Sequence, residues 1–354
     1  MGSNVVFNKK SPPHRLTRAI RFAYAHPNRL TPTSYSPIPL RSHMRKVLLY
    51  LLLGIVFALC ATSWSEDLKS KVDKLFLKAS SGEERYRDLV EPSKKALIEM
   101  GQDAVPYLIE KLDTQDAREI LTLIEILGKI GEPAVLPLIE TLKNDNKDKV
   151  KTASRILGDI KNKRAVQPLS DLLSNSDYNI RANACASLGK IGDTTVLNEV
   201  MSLLNDSVEV VRKSAAVSLG DLNNPRAIDA LIKALKDRHF SVRMTASNSL
   251  VRLGKPAVDP LLQVLKDKEE DARYLSIESL GKIKDPRAIP FLIDELKSQD
   301  WAERGFAVEA LMNMEDQKGI DAVRRMQPTE THPFVKRKIK ESLAKLETES
   351  GSGK

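Results

Sequence analysis

Aromatic side chains are scarce in this sequence, at 5% of 354 residues. Leu, Ala, Ile, Lys and Glu are plentiful instead. Strands favour aromatic and β-branched residues, and helices favour straight-chain ones, so the balance turns against sandwiches and barrels and towards an all-α fold. Cysteine is scarcer still, with two residues. Cys60 lies in an apolar run near the N-terminus and Cys185 among small residues in NACAS, a helical packing position for a small apolar side chain. A mature chain without Cys60 has no pair for an intrachain disulfide. Of the five histidines, His14, His26 and His43 fall in the N-terminal segment, leaving His239 and His332. Neither stands in a His-Glu pair or in HExxH, which removes the zinc-protease signature. No GxGxxG or GxxxxGK phosphate loop is present. No catalytic residue, metal ligand or cofactor site is therefore expected, and pairs such as Glu269 and Glu270 read as a solvated face.

Acidic residues are absent from positions 1 to 65, which hold nine of the 56 basic residues. The remaining 47 basic residues face all 47 acidic ones, so the formal charge of +9 belongs to the leader and residues 66–354 are neutral. A nucleic-acid-binding surface carries its excess of Lys and Arg on the folded body, and no such excess exists here. A nucleic-acid partner is not expected.

Long hydrophobic runs are also missing. The longest spans Val47 to Leu59, preceded by Met44, Arg45 and Lys46. It is too short for a membrane helix of about 20 residues and has the layout of a cleaved export signal over 44–65, with cleavage near Ser63 after the small-x-small shape of Ala61-Thr62-Ser63. Lipidation at Cys60 and an uncleaved anchor are the alternatives and the only expected routes to a membrane; Leu59 departs from the usual lipobox. Residues 1–43, rich in Pro and Arg, read as an over-extended start, with an organelle transit peptide as the alternative. The expected location is periplasmic or envelope-associated.

What the sequence does have is a repeat. Leu97, Leu127, Leu157, Leu188, Leu219, Leu250, Leu280, Leu311 and Leu343 recur at intervals of about 31, and periods of this size mark a solenoid. A second column, Leu112, Leu142, Leu173, Leu204, Leu235, Leu265 and Leu296, keeps the same register. Each repeat therefore holds two segments. Ala227, Ile228, Leu231, Ile232 and Leu235 line one helical face, and Val211, Ala215 and Leu219 line another. Asn175, Asp206, Asp237 and Asp267 stand where the second helix would want an N-cap. The stretch LGDLNNPRAIDAL at 219–231, with copies at 157–169 and 280–292, reads as the joint between repeats: Leu219 and Gly220 close a helix, Asn223 and Asn224 turn, and Pro225 opens the next helix.

The LGxI joint followed by PRAIxxL, together with V/I-R-x-x-A in Val211-Arg212 to Ala215 and Ile180-Arg181 to Ala184, resembles the HEAT-repeat family, specifically the short repeats found in phycobilisome bilin lyases. The resemblance implies an armadillo-like α-α superhelix of about eight two-helix repeats over 66–347, with second helices lining the concave face, and leaves 348–354 as a flexible tail. At ~10 Å per layer such a stack extends on the order of 80 Å. The His-Glu motifs of HEAT-type deoxyhypusine hydroxylases are missing.

Two sets of residues stand out on this ruler. Arg181, Arg212, Arg243, Arg273 and Arg304 form a column, one per repeat; it reads as a structural ladder in which each Arg bonds a cap residue such as Asp206 or Asp237 and free carbonyls, or else as a basic track for an anionic partner. The positions one and two after each Arg vary, which suggests surface, and Met244, Tyr274, Trp301 and Phe306 place large apolar groups in the last repeats, as a protein-binding hot spot would. The expected function is an exported, non-enzymatic scaffold that binds a protein on its concave face. The alternative is an enzyme subunit resembling bilin lyases, which attach a chromophore to a client protein.

Overall fold

The computed structural model describes Tyr50, residues 66–266 and residues 272–351, with side chains to Leu346. The chain divides into two units, 1–63 and 64–354, and the repeats occupy the second. The expected signal at 44–65, its cleavage near Ser63, the segment 1–43 and Cys60 lie outside the described residues.

From residue 66 the described chain is helical and alternates between two kinds of helix. In chain order the pairs are α1 (66–80) with α2 (Val90–Glu99), α3 (Val105–Ile109) with α4 (Ala117–Ile130), α5 (Glu132–Thr141) with α6 (Lys147–Ile160), α7 (Val166–Asp171) with α8 (Tyr178–Ile191), and α9 (Leu197–Ser202) with α10 (Glu209–Leu222). Then follow α11 (Ile228–Ala234) with α12 (Phe240–Leu253), α13 (Val258–Lys266) with α14 (Arg273–Ile283), α15 (Ile289–Glu295) with α16 (Trp301–Met314), and α17 (Gln317–Met326) with α18 (Pro333–Gly351). Even-numbered helices from α4 to α18 pack on their even neighbours, α5, α7, α9, α11, α13 and α15 each pack on the second helix of their own pair, and contacts such as α3 with α5 and α15 with α17 tie the odd layer together. One pair cannot bury its apolar stripe alone, and stacking covers it from both sides. The buried residues form one continuous column from Val72 to Ile339, including every anchor leucine from Leu97 to Leu311.

The joint at 219–231 shows how the sequence makes this turn. Asn223 takes the left-handed conformation, with φ of 47°, that ends α10. Asn224 is extended and its side chain accepts from Arg226 N. Pro225 follows at a position whose missing N–H would have had no intrahelical partner. Asp285 and Asn162 accept from Arg287 N and Arg164 N in the same way.

Three expectations require correction. The glycines after the anchor leucines do not close their helices. Gly158, Gly189 and Gly220 lie inside α6, α8 and α10, and the left-handed residues come later, at Lys161, Gly192 and Asn223. Their role is close approach: a Cβ on Gly158 or Gly189 would lie 2.8 Å from the Cα of Ser187 or Ser218 on the next second helix. The serines also fasten the layer, because Ser187 and Ser218 donate at 2.7 and 2.8 Å to the carbonyls of Ser154 and Cys185 one repeat earlier.

Asn175, Asp206 and Asp237 do not cap the second helices. They stand two residues before the N-cap and close a short turn onto Asp177 N, Val208 N and His239 N. The N-caps themselves are Asp177, Val208 and His239, and of these Asp177 accepts from Asn179 N. Asp267 lies outside the described residues. Finally, α18 runs through Gly351, past the expected start of a loose tail at 348, because no breaker interrupts the helix before Gly351.

Candidate partner-binding surface

The arginine column sits in the first turns of the second helices, where each guanidinium reaches two groups at once. Arg181 donates through Nε and Nη2 to both oxygens of Asp206 in the next repeat, at 2.8 and 2.9 Å, and through Nη1 to Asn175 O at 2.8 Å. Arg212 repeats this on Asp237, at 2.6 and 3.0 Å, with Nη1 on Asp206 O at 2.9 Å. Arg304 does so on Glu330, at 2.8 and 3.0 Å, with Nη1 on Ser298 O. The carbonyls belong to the turn in front of the arginine's own helix, and the carboxylate belongs to the repeat that follows. The planar fork suits this double duty.

The ladder adapts where the carboxylate is missing. Six residues before Arg304, where Asp206 and Asp237 stand relative to Arg212 and Arg243, the chain has Ser298, whose hydroxyl accepts from Asp300 N. Arg273 pairs instead with Glu295 at 2.5 Å and Glu303 at 2.8 Å, and also donates to Leu265 O. Arg243 donates to Asp237 O at 2.8 Å and lies over the Phe240 ring at 5.5 Å.

These pairs are largely buried, and their acidities record it. Burial pushes the Asp206 and Asp237 carboxyls up, but hydrogen bonds from Arg181 and Arg212 and from the turn amides outweigh it and leave both below the usual carboxylate range. The Arg304 guanidinium, opposed by burial and assisted by the His332 and Thr331 amides, holds Glu330 down to about 2. Glu295 goes the other way, its carboxyl raised by burial against the pull of Arg273. Guanidinium groups engaged on two sides have little donor capacity left for an anionic ligand.

The apolar candidates are placed unequally. Trp301 opens α16 and is 44% exposed. Its ring stacks on His332 at 4.6 Å and meets Phe334 edge-on at 5.3 Å. Tyr274 of α14 and Phe306 of α16 are half-buried, with ring centroids 5.6 Å apart. Met244, on α12, is half-buried and packs against the core. The variable positions beside the arginines are not uniformly surface: Ala182, Gly305 and Leu275 are buried. Adjacent helical positions point about 100° apart, so one of them turns towards a neighbouring second helix while the other faces out.

Phe306, Phe334, Gly305, Glu309, Arg337, Lys338 and Glu341 line a groove of about 440 Å³ between α16 and α18. Gly305 lets the Phe334 ring lie close, since a Cβ there would meet Phe334 Cε1 at 3.0 Å. Phe334, His332, Arg337 and Lys338 were not singled out by the repeat pattern. The available signal was the last anchor, Leu343, which sets Phe334 at the position of Ala302 in the preceding repeat and places 334, 338 and 341 on one helical face.

Among the described residues no group of three or more His, Cys, Asp or Glu is arranged to hold a metal ion, and no helix is long and apolar enough to cross a membrane. Cys185 is buried, with its thiol pushed up to about 12 by desolvation.

Comparison with known proteins gives a match to the family model of HEAT repeats over residues 137–220, 200–271 and 258–344. No curated protein matches the sequence. Similar solved structures include the CpcE–CpcF complex of phycocyanin lyase from Nostoc, at 20% identity and TM-score 0.37, covering 64% of this chain and 94% of that one. Human deoxyhypusine hydroxylase in complex with glycerol is similar at 19% identity and TM-score 0.32, covering 70% and 96%. YibA of Escherichia coli is similar at 21% identity and TM-score 0.46, covering 75% and 98%.

Proposed function

For a chain that belongs to the HEAT-repeat family, we propose the function of an exported, non-enzymatic scaffold that holds a protein partner against its second-helix layer, the face expected to be concave. The observation that carries this reading is the aromatic strip across the last three second helices. Tyr274, Phe306, Phe334 and Trp301 are linked by ring contacts and by a shared groove, and Trp301 remains substantially exposed. Aromatic side chains at the edge of an open groove are the type of residue that dominates protein interfaces. The arginine ladder is the frame of this face, its charges already answered by carboxylates within the stack. The export half of the reading rests on the sequence at 44–65, with its short apolar run behind Arg45 and Lys46.

The two halves are tested separately. Affinity capture from envelope extracts is expected to recover a partner with the intact chain and to lose it with a Met244→Ala, Tyr274→Ala, Trp301→Ala triple variant. The same partner at the same yield from both would remove the patch. N-terminal sequencing of the protein from fractionated cells is expected to find a new N-terminus near Ser63 in the envelope fraction; an intact leader on a cytosolic protein would contradict export.

A further inference from the structure

The groove between α16 and α18 has a chemistry of its own. Its apolar walls are Phe306 and Phe334, and the cations of Arg337 and Lys338 sit over the Phe334 ring at 5.5 and 6.0 Å. The two carboxylates at the rim are already engaged, Glu309 by Lys338 at 2.9 Å and Glu341 by Arg337 at 3.9 Å. Outside those pairs, the same helix exposes Lys336 and Lys340, and neither has a carboxylate partner among the described residues. Lys336 stands where the arginine ladder would continue, seven residues before Leu343 as Arg304 stands before Leu311. The ladder arginines with a bidentate partner are neutralised by the next turn, whereas Lys336 is left in solvent. Although residues 66–354 carry no net charge, positive charge is therefore concentrated beside the one groove walled by aromatic rings.

From this juxtaposition we infer that the groove receives an acidic amphipathic segment of the partner protein, which sets a Leu or Phe between Phe306 and Phe334 and places carboxylates along Lys336, Arg337 and Lys340. The inference rests on the scaffold reading and adds the partner's chemistry to it. Opposite charge at the rim steers and orients the segment, and the apolar anchor supplies most of the affinity.

The test uses the full chain and two labelled amphipathic peptides with the same Leu and Phe spacing, one flanked by Glu and Asp and the other by Lys, read by fluorescence anisotropy. The acidic peptide is expected to bind at least about tenfold more tightly than the basic one, and to weaken as salt is added. A Lys336→Glu, Arg337→Glu variant, altered only at exposed positions, is expected to lose about tenfold in affinity for the acidic peptide while keeping its helix content. Equal binding of both peptides, no binding of the acidic one, or an unchanged affinity in the reversed variant would overturn the inference. So would retention of the chain on anionic vesicles without binding of the acidic peptide, since a lipid surface would then be the ligand. If the peptide fails while the triple alanine variant still loses the envelope partner, the scaffold reading stands and only the acidic assignment falls; if that partner is retained, the scaffold reading itself falls.

Discussion

At the scale of single residues, the arginines on the second helices join neighbouring repeats by a buried bidentate pair. Arg212 and Asp237 are almost fully enclosed, and removing one charge of such a pair leaves the other without compensation. Arg212→Ala is accordingly expected to lower the unfolding free energy by about 3 kcal/mol, measured by chemical denaturation. Adding Asp237→Asn to it should recover part of that loss. The sign of the acid response follows from Glu330, whose folded value near 2 lies below its ordinary 4.5. Its contribution to stability is complete above pH 4.5 and is lost as pH falls towards 2. Glu330→Gln should flatten the midpoint against pH over that window, and an unchanged slope would show that other carboxylates govern it. Cys185, buried and with its thiol near 12, should resist alkylation at pH about 8 until the chain unfolds, which peptide-level mass spectrometry resolves.

At the scale of the element, the spacing of second helices is set by contacts between glycine and serine. Gly189→Ala drives a methyl to 2.8 Å from the Ser218 backbone and should cost about 1 to 3 kcal/mol. Gly128 supplies the contrast, since a Cβ there meets nothing within 4 Å; Gly128→Ala should instead stabilise by about 0.5 to 1 kcal/mol through helix propensity. Thermal or urea denaturation of the two variants reads both signs. The joint was legible in the sequence because Asn223, Asn224 and Pro225 each suit only a narrow range of backbone geometry. Asp206 and Asp237 were read correctly as partners of the arginines and incorrectly as N-caps. A polar residue two places before the cap gives the same sequence signal as the cap, and only the backbone path tells an Asx turn from a helix start.

At the scale of the whole molecule, the periodic residues were the readable ones. The anchor leucines and the arginine column announced the solenoid because each repeat applies the same packing constraint again. The candidate site was half legible. Tyr274, Trp301 and Phe306 stood out by interrupting the pattern, but Phe334 and His332 complete the surface from a terminal repeat whose register is weak. Their proximity to Trp301 across 31 and 33 residues of chain follows from stacking and not from any local motif. Met244 interrupts the pattern too, yet packs largely inward, since variability alone does not say which side of a helix faces solvent.

The claim that the second-helix layer near α16 and α18 holds the partner is tested most directly by site-specific photo-crosslinking in cells. A photoreactive phenylalanine analogue at Phe306, in the groove, is expected to trap one discrete partner, while the same group at Asp229, exposed on the first-helix layer, is expected to trap none. A partner trapped from Asp229 and not from Phe306 would contradict the account.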